Sequence, residues 1–316
     1  MSNKQDFQNN RVVVLAGGVG GAKLASGIAA VMPPEKLTIV GNTGDDFQHM
    51  GLTICPDLDT LMYNLAGVNN PELGWGRLDE SWRVMESVKA FGGPDWFNLG
   101  DLDLGVHLTR MHMLNAGLSL TAVTQHLCQK LGIQPTVLPM SDQPAPTMIE
   151  TETAVLPFQE WFVKERWQPV VKNIQLPENS KSTRDVALAL QKADLVIIAP
   201  SNPFVSIDPI FNCYPIRENV MDLPRAVVAV SPIVGGDAVK GPAAKLMREK
   251  GMDISPITVA DYYGELLDGF VYDVQDQVIK GEFPVEALCV DTMMVDEASR
   301  KRVALDVLNF AVHLTQ

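Results

Sequence analysis

The sequence predicts an α/β fold: a Rossmann-like, doubly wound, mostly parallel sheet with a smaller α+β subdomain inserted. Three observations carry this. First, Val12-Val13-Val14-Leu15 reads as a buried parallel strand, Gly17, Gly18, Gly20 and Gly21 follow at once, residues 22–31 read as a helix, and Leu37-Thr38-Ile39-Val40 as the next strand. Second, apolar strands recur at residues 194–199 and 226–230, each running into a polar, proline-containing or glycine-containing loop. Third, residues 147–155, 158–163 and 170–176 look like short strands with no helices between them, which marks an insertion in the alternation. The expected organisation is a disordered lead over residues 1–10 and one domain over 11–316, with the insertion at about 68–180.

The glycine loop empties onto a helix N-terminus, where free N–H groups and the helix dipole make an anion site. Lys23 adds a mobile cation. The pattern is neither G-x-G-x-x-G nor a Walker loop, so a tight turn that needs glycine for packing alone is the competing reading. The second strand runs into Gly41-Asn42-Thr43-Gly44-Asp45-Asp46, followed by Pro56-Asp57-Leu58-Asp59-Thr60. Loops at the carboxyl ends of parallel strands line the ligand crevice. Four carboxylates delivered there suit a divalent metal or a substrate hydroxyl, although Asn, Gly and Asp also make ordinary turns and Asp57 could cap the next helix.

Downstream, Asp79 is expected to cap a helix with core residues Trp82, Met85, Val88 and Phe91, ended by Gly92-Gly93-Pro94. Trp75 lies between two glycines, exposed or at a pocket wall. If the chain is helical from Asp103, then His107 and Arg110 share its face at i+4 and i+7. Gln159-Glu160-Trp161 is a candidate pocket edge. A helix from Ser182 precedes the strand at residues 194–199. The loop Pro200-Ser201-Asn202-Pro203, continuing to Ile210, is stiffened by prolines, and Ser201, Asn202 and Ser206 offer polar contacts to a base or ribose. Phe270-Val271-Tyr272 reads as the last strand, and residues 297–314 as a C-terminal amphipathic helix.

Composition removes other classes. The net charge is −13 with no basic run, which argues against a nucleic-acid partner. The first ten residues lack an apolar signal region, and no segment approaches a membrane span. Cys55, Cys128, Cys213 and Cys289 are scattered, with no zinc or disulfide pattern, so a cytoplasmic protein is expected. A homodimer is compatible with the sequence, which leaves the oligomeric state open.

Taken together, Ala16-Gly17-Gly18-Val19-Gly20-Gly21-Ala22-Lys23, Asn42-Thr43-Gly44-Asp45-Asp46, Pro56-Asp57-Leu58-Asp59-Thr60, Leu99-Gly100-Asp101 to Arg110, Pro139-Met140-Ser141-Asp142, Phe158-Gln159-Glu160-Trp161, Ala199-Pro200-Ser201-Asn202-Pro203 and Ser231-Pro232-Ile233 resemble, in order, the 2-phospho-L-lactate transferases (CofD) of coenzyme F-420 biosynthesis. One departure is Leu102, where the family usually has Arg. The resemblance implies that a guanylyl diphosphate carrying a phospho-acid (2-phospholactate, phosphoenolpyruvate or phosphoglycerate) meets the 8-hydroxy-5-deazaflavin FO. The terminal ribityl hydroxyl of FO attacks the phosphorus bearing the acid and GMP leaves, with Mg²⁺ assisting. On this reading Gly17, Gly18, Gly20 and Gly21 hold the diphosphate, and Asp46 and Asp57 hold Mg²⁺. Asp59 orients or deprotonates the hydroxyl, and Lys23 or Arg110 stabilises developing charge. Asp101 belongs to the FO site, and Ser201, Asn202 and Ser206 read the guanine, so GDP should bind as an analogue. The alternatives are a non-catalytic nucleotide-sugar-binding regulator of the gluconeogenesis-factor type, which carries a different acidic motif, and a dinucleotide oxidoreductase, which would want an acidic residue where Gly41-Asn42 follows Val40.

Overall fold

The computed structural model describes residues 6–221, 226–278 and 281–316. Seven parallel strands form the central sheet: β1 Val12–Ala16, β2 Leu37–Gly41, β3 Thr136–Pro139, β4 Leu195–Ile198, β5 Ala226–Val230, β6 Gly269–Asp273 and β7 Glu286–Val290. Their order is β7-β6-β5-β4-β1-β2-β3. The apolar runs are continuous because both faces are covered, and alternate residues feed two separate cores. Val12, Val14 and Ala16 join Leu195, Ile197, Val228 and Val230 under helices α1 (Gly18–Ala29) and α4 (Glu297–His313), which takes its number after α2 and α3 below. Val13, Leu15, Val196, Ile198 and Val227 face the opposite layer, with Phe204, Leu246 and Val259.

The chain enters β1 and leaves the sheet order in two directions from it, with β2 on one side and β4 on the other. That reversal opens a crevice at the carboxyl ends of β1 and β4, the usual ligand position in such sheets. Two excursions overhang it. Residues 42–135 supply the hairpin Phe47–His49/Leu52–Ile54, helix α2 (Pro56–Ala66), the helix Arg83–Ala90 and helix α3 (Asp101–Asn115). Residues 140–194 supply a three-stranded antiparallel sheet, Val155–Pro157, Met148–Thr151 and Val171–Gln175.

Several local expectations change. The segment 68–180 is not one excursion, because Thr136–Pro139 within it returns to pair with β2 at the sheet edge. Residues 158–163 are not a strand. Phe158 and Phe162 stack at 5.4 Å across a π-helical turn, Glu160–Lys164, so the aromatic spacing has the helical period rather than the strand period. The sheet continues beyond Phe270 through β7, a half-buried edge strand with weak apolar patterning. In the lead, residues 1–5 lie outside the described residues, but Asp6–Asn9 is a 3-10 turn and Phe7 is buried in the core that includes Val303 and Val307 of α4. Asp79 caps nothing and has a φ of 58°. Instead Glu80 accepts the amides of Leu102 and Asp103, while Asp101 accepts that of Val84 and the Ser81 hydroxyl. Arg83–Ala90 and α3 are thereby capped by acids distant in sequence. No helix of the described residues is long and apolar enough to cross a membrane.

Two helical glycines should respond in opposite directions to alanine. A Cβ on Gly27 would lie 2.3 Å from the Arg300 carbonyl oxygen, where α1 crosses α4. Overpacking costs about 1–3 kcal/mol, which outweighs the roughly 1 kcal/mol helix-propensity gain, so Gly27→Ala should lower the urea midpoint. Gly105, exposed on α3, has nothing within 4 Å of its Cβ position. Gly105→Ala should raise the midpoint by about 0.5–1 kcal/mol equivalent. Equal shifts in both variants would contradict this packing of α1 on α4.

Candidate active site

The crevice is a cavity of about 700 Å³. One wall is the glycine loop. Gly17 is the N-cap of α1 and has no side chain to cap it. The Ser201 hydroxyl pins the Gly17 backbone instead, accepting from Gly17 N at 3.1 Å and donating to Gly17 O at 2.7 Å. Asp57 Oδ1 accepts the next amide, Gly18 N, at 2.6 Å. The amides of Val19 and Gly20, which also line the cavity, have no intrahelical acceptor because they belong to the first turn. A Cβ on Gly17 would meet Asp57 Oδ2 at 2.4 Å, and one on Gly20 would meet the Pro200 carbonyl at 2.4 Å. Both glycines are therefore required by close approach. Gly21 is outside the cavity and packs on Ser201 and Ala16, so its contribution is to packing rather than to a ligand.

Asp57 and Asp59 stand in the first turn of α2, two positions apart, and their side chains diverge as a helix demands. Each Asp57 oxygen accepts one bond from the fold, the second from Asn42 Nδ2 at 2.9 Å, which leaves lone pairs on both. Burial pushes the Asp57 carboxyl up to about 6, against the stabilising bonds from Asn42 and Gly18. Asp45 lies beside it on the cavity wall, held by Gln159 Nε2 at 3.0 Å. Burial first, then the Asp57 and Asp46 charges, raises its pKa well above the carboxylate range. Asp46 is displaced from the cavity wall and interacts instead with the Cys55 thiol and the Arg110 charge. Of the neighbouring pair, the structure brings Asp45 rather than Asp46 to the cavity, because the turn after β2 sends successive side chains to different sides.

Asp59 points to Arg110, whose Nη2 donates to Asp59 Oδ1. Arg110 is 1% exposed and does not border the cavity, so it reaches a ligand only through Asp59. Burial is the largest influence and works against its charge, but the charge and hydrogen bond of Asp59, with Cys55 and Tyr63, together raise its pKa overall. Asp103 is a further cavity residue. Burial disfavours its anion, yet bonds from His107 and Tyr63 hold its pKa below the usual range. Asp59 Oδ2 is buried and has no hydrogen-bond partner among the described residues.

The remaining predicted residues divide. Lys23 lines the cavity and donates to the Met294 carbonyl at 2.8 Å. Burial, then Arg300 and Lys240, lowers its pKa. Ser201, Asn202 and Ser206 all border the cavity. Asn202 uses Oδ1 to cap the π-helical turn Pro203–Ile207 through Phe204 N, while its buried Nδ2 is unpartnered. Asp101 is outside the cavity, consumed by capping, and Leu102 is 43% exposed to solvent, also away from it. Sequence reasoning missed Asn98, which the segment before α3 carries to the cavity, and Lys240 and the Thr292–Val295 stretch, which loops after β5 and β7 carry there. The aromatic signal of Trp96 and Phe97 was present, but nothing local distinguished a cavity wall from core.

Arg110 and Asp59 form a buried pair, so removing one partner leaves an uncompensated charge. Arg110→Met should destabilise by about 3–5 kcal/mol, and adding Asp59→Leu should recover part of the loss. Denaturant unfolding of both variants checks this; a single variant as stable as wild type would show that the pair does not hold α2 to α3.

A family model described as 2-phospho-L-lactate transferase CofD matches residues 12–308. A relative from Streptomyces griseus named phosphoenolpyruvate transferase is 40% identical over 313 residues, covering 95% of this chain and 98% of its own. One from Methanosarcina barkeri named 2-phospho-L-lactate transferase is 36% identical over 300 residues, covering 93% and 96%. Among solved structures, a UPF0052 family member from Bacillus halodurans superposes with a TM-score of 0.62 at 16% identity, over 94% of this chain and 98% of that one, a likeness of fold. The glycine loop, the acidic first turn of α2 and the whole-length match agree: this chain belongs to the 2-phospho-L-lactate transferase (CofD) family, transferases of coenzyme F-420 biosynthesis.

Proposed function

We propose that this transferase moves a phospho-acid group from a guanylyl diphosphate donor to the terminal ribityl hydroxyl of FO, releasing GMP. The supporting observation is the pairing, on the wall of one cavity, of the helix N-terminus at Val19 and Gly20 with the Asp59 carboxylate. The first suits a diphosphate and the second an attacking hydroxyl. The hydroxyl oxygen forms the new P–O bond, the bond to GMP breaks, and the hydroxyl proton passes to Asp59. Phosphoryl transfer needs in-line placement and charge neutralisation more than covalent help. Lys23 neutralises the diphosphate side, and Arg110 pairs with Asp59 and orients it. Asn202 Nδ2 and Ser206 are left to recognise the guanine, since Ser201 is committed to Gly17. The Streptomyces relatives direct the first test to the phosphoenolpyruvyl donor, with phospholactyl and phosphoglyceryl donors beside it.

The site also suits Mg²⁺. Asp45, Asp57 and Asp59 offer hard oxygen donors on one wall, where burial leaves the Asp45 and Asp57 carboxyls without a compensating cation. Asp57 and Asp45 would hold the ion, with Asp46 one residue too far round the turn. When bound, it would offset charge on the bridging and leaving oxygens.

Metal binding requires the carboxylates to lose their protons. The folded pKa of Asp57, about 6, lies above its ordinary 3.8, so a proton competes for the site below about pH 6. Calorimetry at pH 5.5, 6.5 and 7.5 should give Mg²⁺ affinity, and Mg²⁺-induced stabilisation, that fall towards the acid end. Affinity independent of pH would remove Asp57 from the ligand set, and full transfer in excess chelator would remove the metal.

Single-turnover transfer separates binding from chemistry. Asp59→Asn keeps shape but loses the base, so transfer to FO should drop by roughly 10²-fold or more while GDP still binds. Transfer at the wild-type rate would show that Asp59 does not handle the hydroxyl.

A further inference from the structure

Around Asp59 runs a network of buried polar side chains, of which Tyr63, Asp103 and His107 also border the cavity while Arg110 does not. Helix α3 presents Asp103, His107 and Arg110 on one face, and α2 presents Asp59 and Tyr63 to them. Arg110, His107 and Tyr63 are 1% exposed, Asp59 5% and Asp103 7%. A guanidinium only donates hydrogen bonds, so the 2.9 Å contact from Arg110 Nη1 to His107 Nδ1 makes Nδ1 an acceptor. The ring proton therefore sits on Nε2, 3.3 Å from Asp103 Oδ2. The other oxygen of Asp103 accepts the Tyr63 hydroxyl. Arg110 also donates Nη1 to the Thr53 carbonyl at 3.3 Å and Nη2 to Asp59 Oδ1. Two buried atoms of this network make no hydrogen bond, His107 Nε2 and Asp59 Oδ2, and Asp59 Oδ2 lies 3.7 Å from His107 Nδ1.

The same tautomer decides against another use of these groups. Ligand atoms of Asp59, Asp103 and His107 lie within 4.8 Å of one another, as a cation site would require. His107 Nδ1 is occupied by Arg110, and Nε2 carries the proton, so neither nitrogen offers a lone pair. The Arg110 charge also stands where it would repel a cation.

We propose that His107 is a positioning residue for the transfer: its Nδ1 holds the Arg110 fork, which in turn orients the Asp59 carboxylate at the cavity wall for the acceptor hydroxyl. This role rests on the transferase reading above and adds to it a residue that acts through two others. A loss of the Nδ1 acceptor lets the guanidinium rotate, and Asp59 moves with it. A displacement of about 1 Å at a reacting group is enough to cost roughly 10²-fold in rate.

Three substitutions distinguish the two ring nitrogens. His107→Asn keeps an acceptor at the δ position and loses the ε donor, His107→Gln keeps an amide at the ε position and loses the δ acceptor, and His107→Leu keeps neither. With FO and the guanylyl donor saturating, kcat should fall about 10²-fold in the Gln and Leu variants and stay within about fivefold of wild type in the Asn variant. KM for both substrates and GDP affinity should be unchanged in all three. Equal losses in Asn and Gln, or losses confined to KM, overturn the role. An active wild type beside an equally active His107→Leu overturns the role and leaves the transferase reading intact, whereas an inactive wild type overturns the reading and the role with it. Nitrogen-15 NMR of the unsubstituted protein gives a readout independent of turnover and of variant folding. His107 should show an unprotonated Nδ1 and a protonated Nε2 at neutral pH, and the reverse tautomer or an imidazolium overturns the proposal.

Discussion

The Asp57 carboxylate is the tie on which the cavity depends. It stands in the first turn of α2, yet its two oxygens satisfy Gly18 N at the start of α1 and Asn42 Nδ2 at the end of β2. Three elements of the chain thus meet at one buried carboxylate. The tie works only because Gly17 leaves room for it, its Cβ position being 2.4 Å from Asp57 Oδ2. Burial charges a cost for this, visible in the raised pKa of Asp57 and in that of Asp45 beside it. A site that holds unrelieved negative charge next to free helix amides is poised for a ligand bearing both an anion and a compensating cation.

Electrostatic order in the cavity comes from the partners, not from burial, which is nearly equal for the four acids. The acids nearest the glycine loop, Asp45 and Asp57, are held by neutral amides and remain underneutralised. Asp59 and Asp103 meet Arg110, His107 and Tyr63. Four carboxylates of the same chemical type therefore behave differently. Asp103 is held below the ordinary carboxylate range while Asp45 is driven far above it, with burial present in both. What differs is whether a charged or strongly donating partner stands within reach.

Departures from expectation share one cause. Asp101 and Glu80 cap helices that begin far away in the chain, and Arg110 serves Asp59 from 51 positions downstream. Local patterning contains no term for such partners. It identified Asp103, His107 and Arg110 as one helical face correctly, because that follows from 3.6 residues per turn. It did not decide whether the face bordered a ligand or another helix. Asp45 and Asp46 are likewise equivalent in sequence and separated only by the turn that follows β2.

By itself the sequence determined the strand–glycine–helix opening, the parallel sheet and the identity of the acids near its carboxyl edge. These follow from hydrophobic period, from glycine's lack of a Cβ and from the position of loops after parallel strands. Tertiary structure decided the rest: that Thr136–Pro139 closes one sheet edge and Glu286–Val290 the other, that Lys240 and the 292–295 stretch reach the rim, and that Arg110 stands behind Asp59 rather than in the cavity. The physical reason is that burial and charge pairing are properties of space. Two residues with the same local signal acquire opposite roles according to which partner, water or apolar wall the packed elements set beside them.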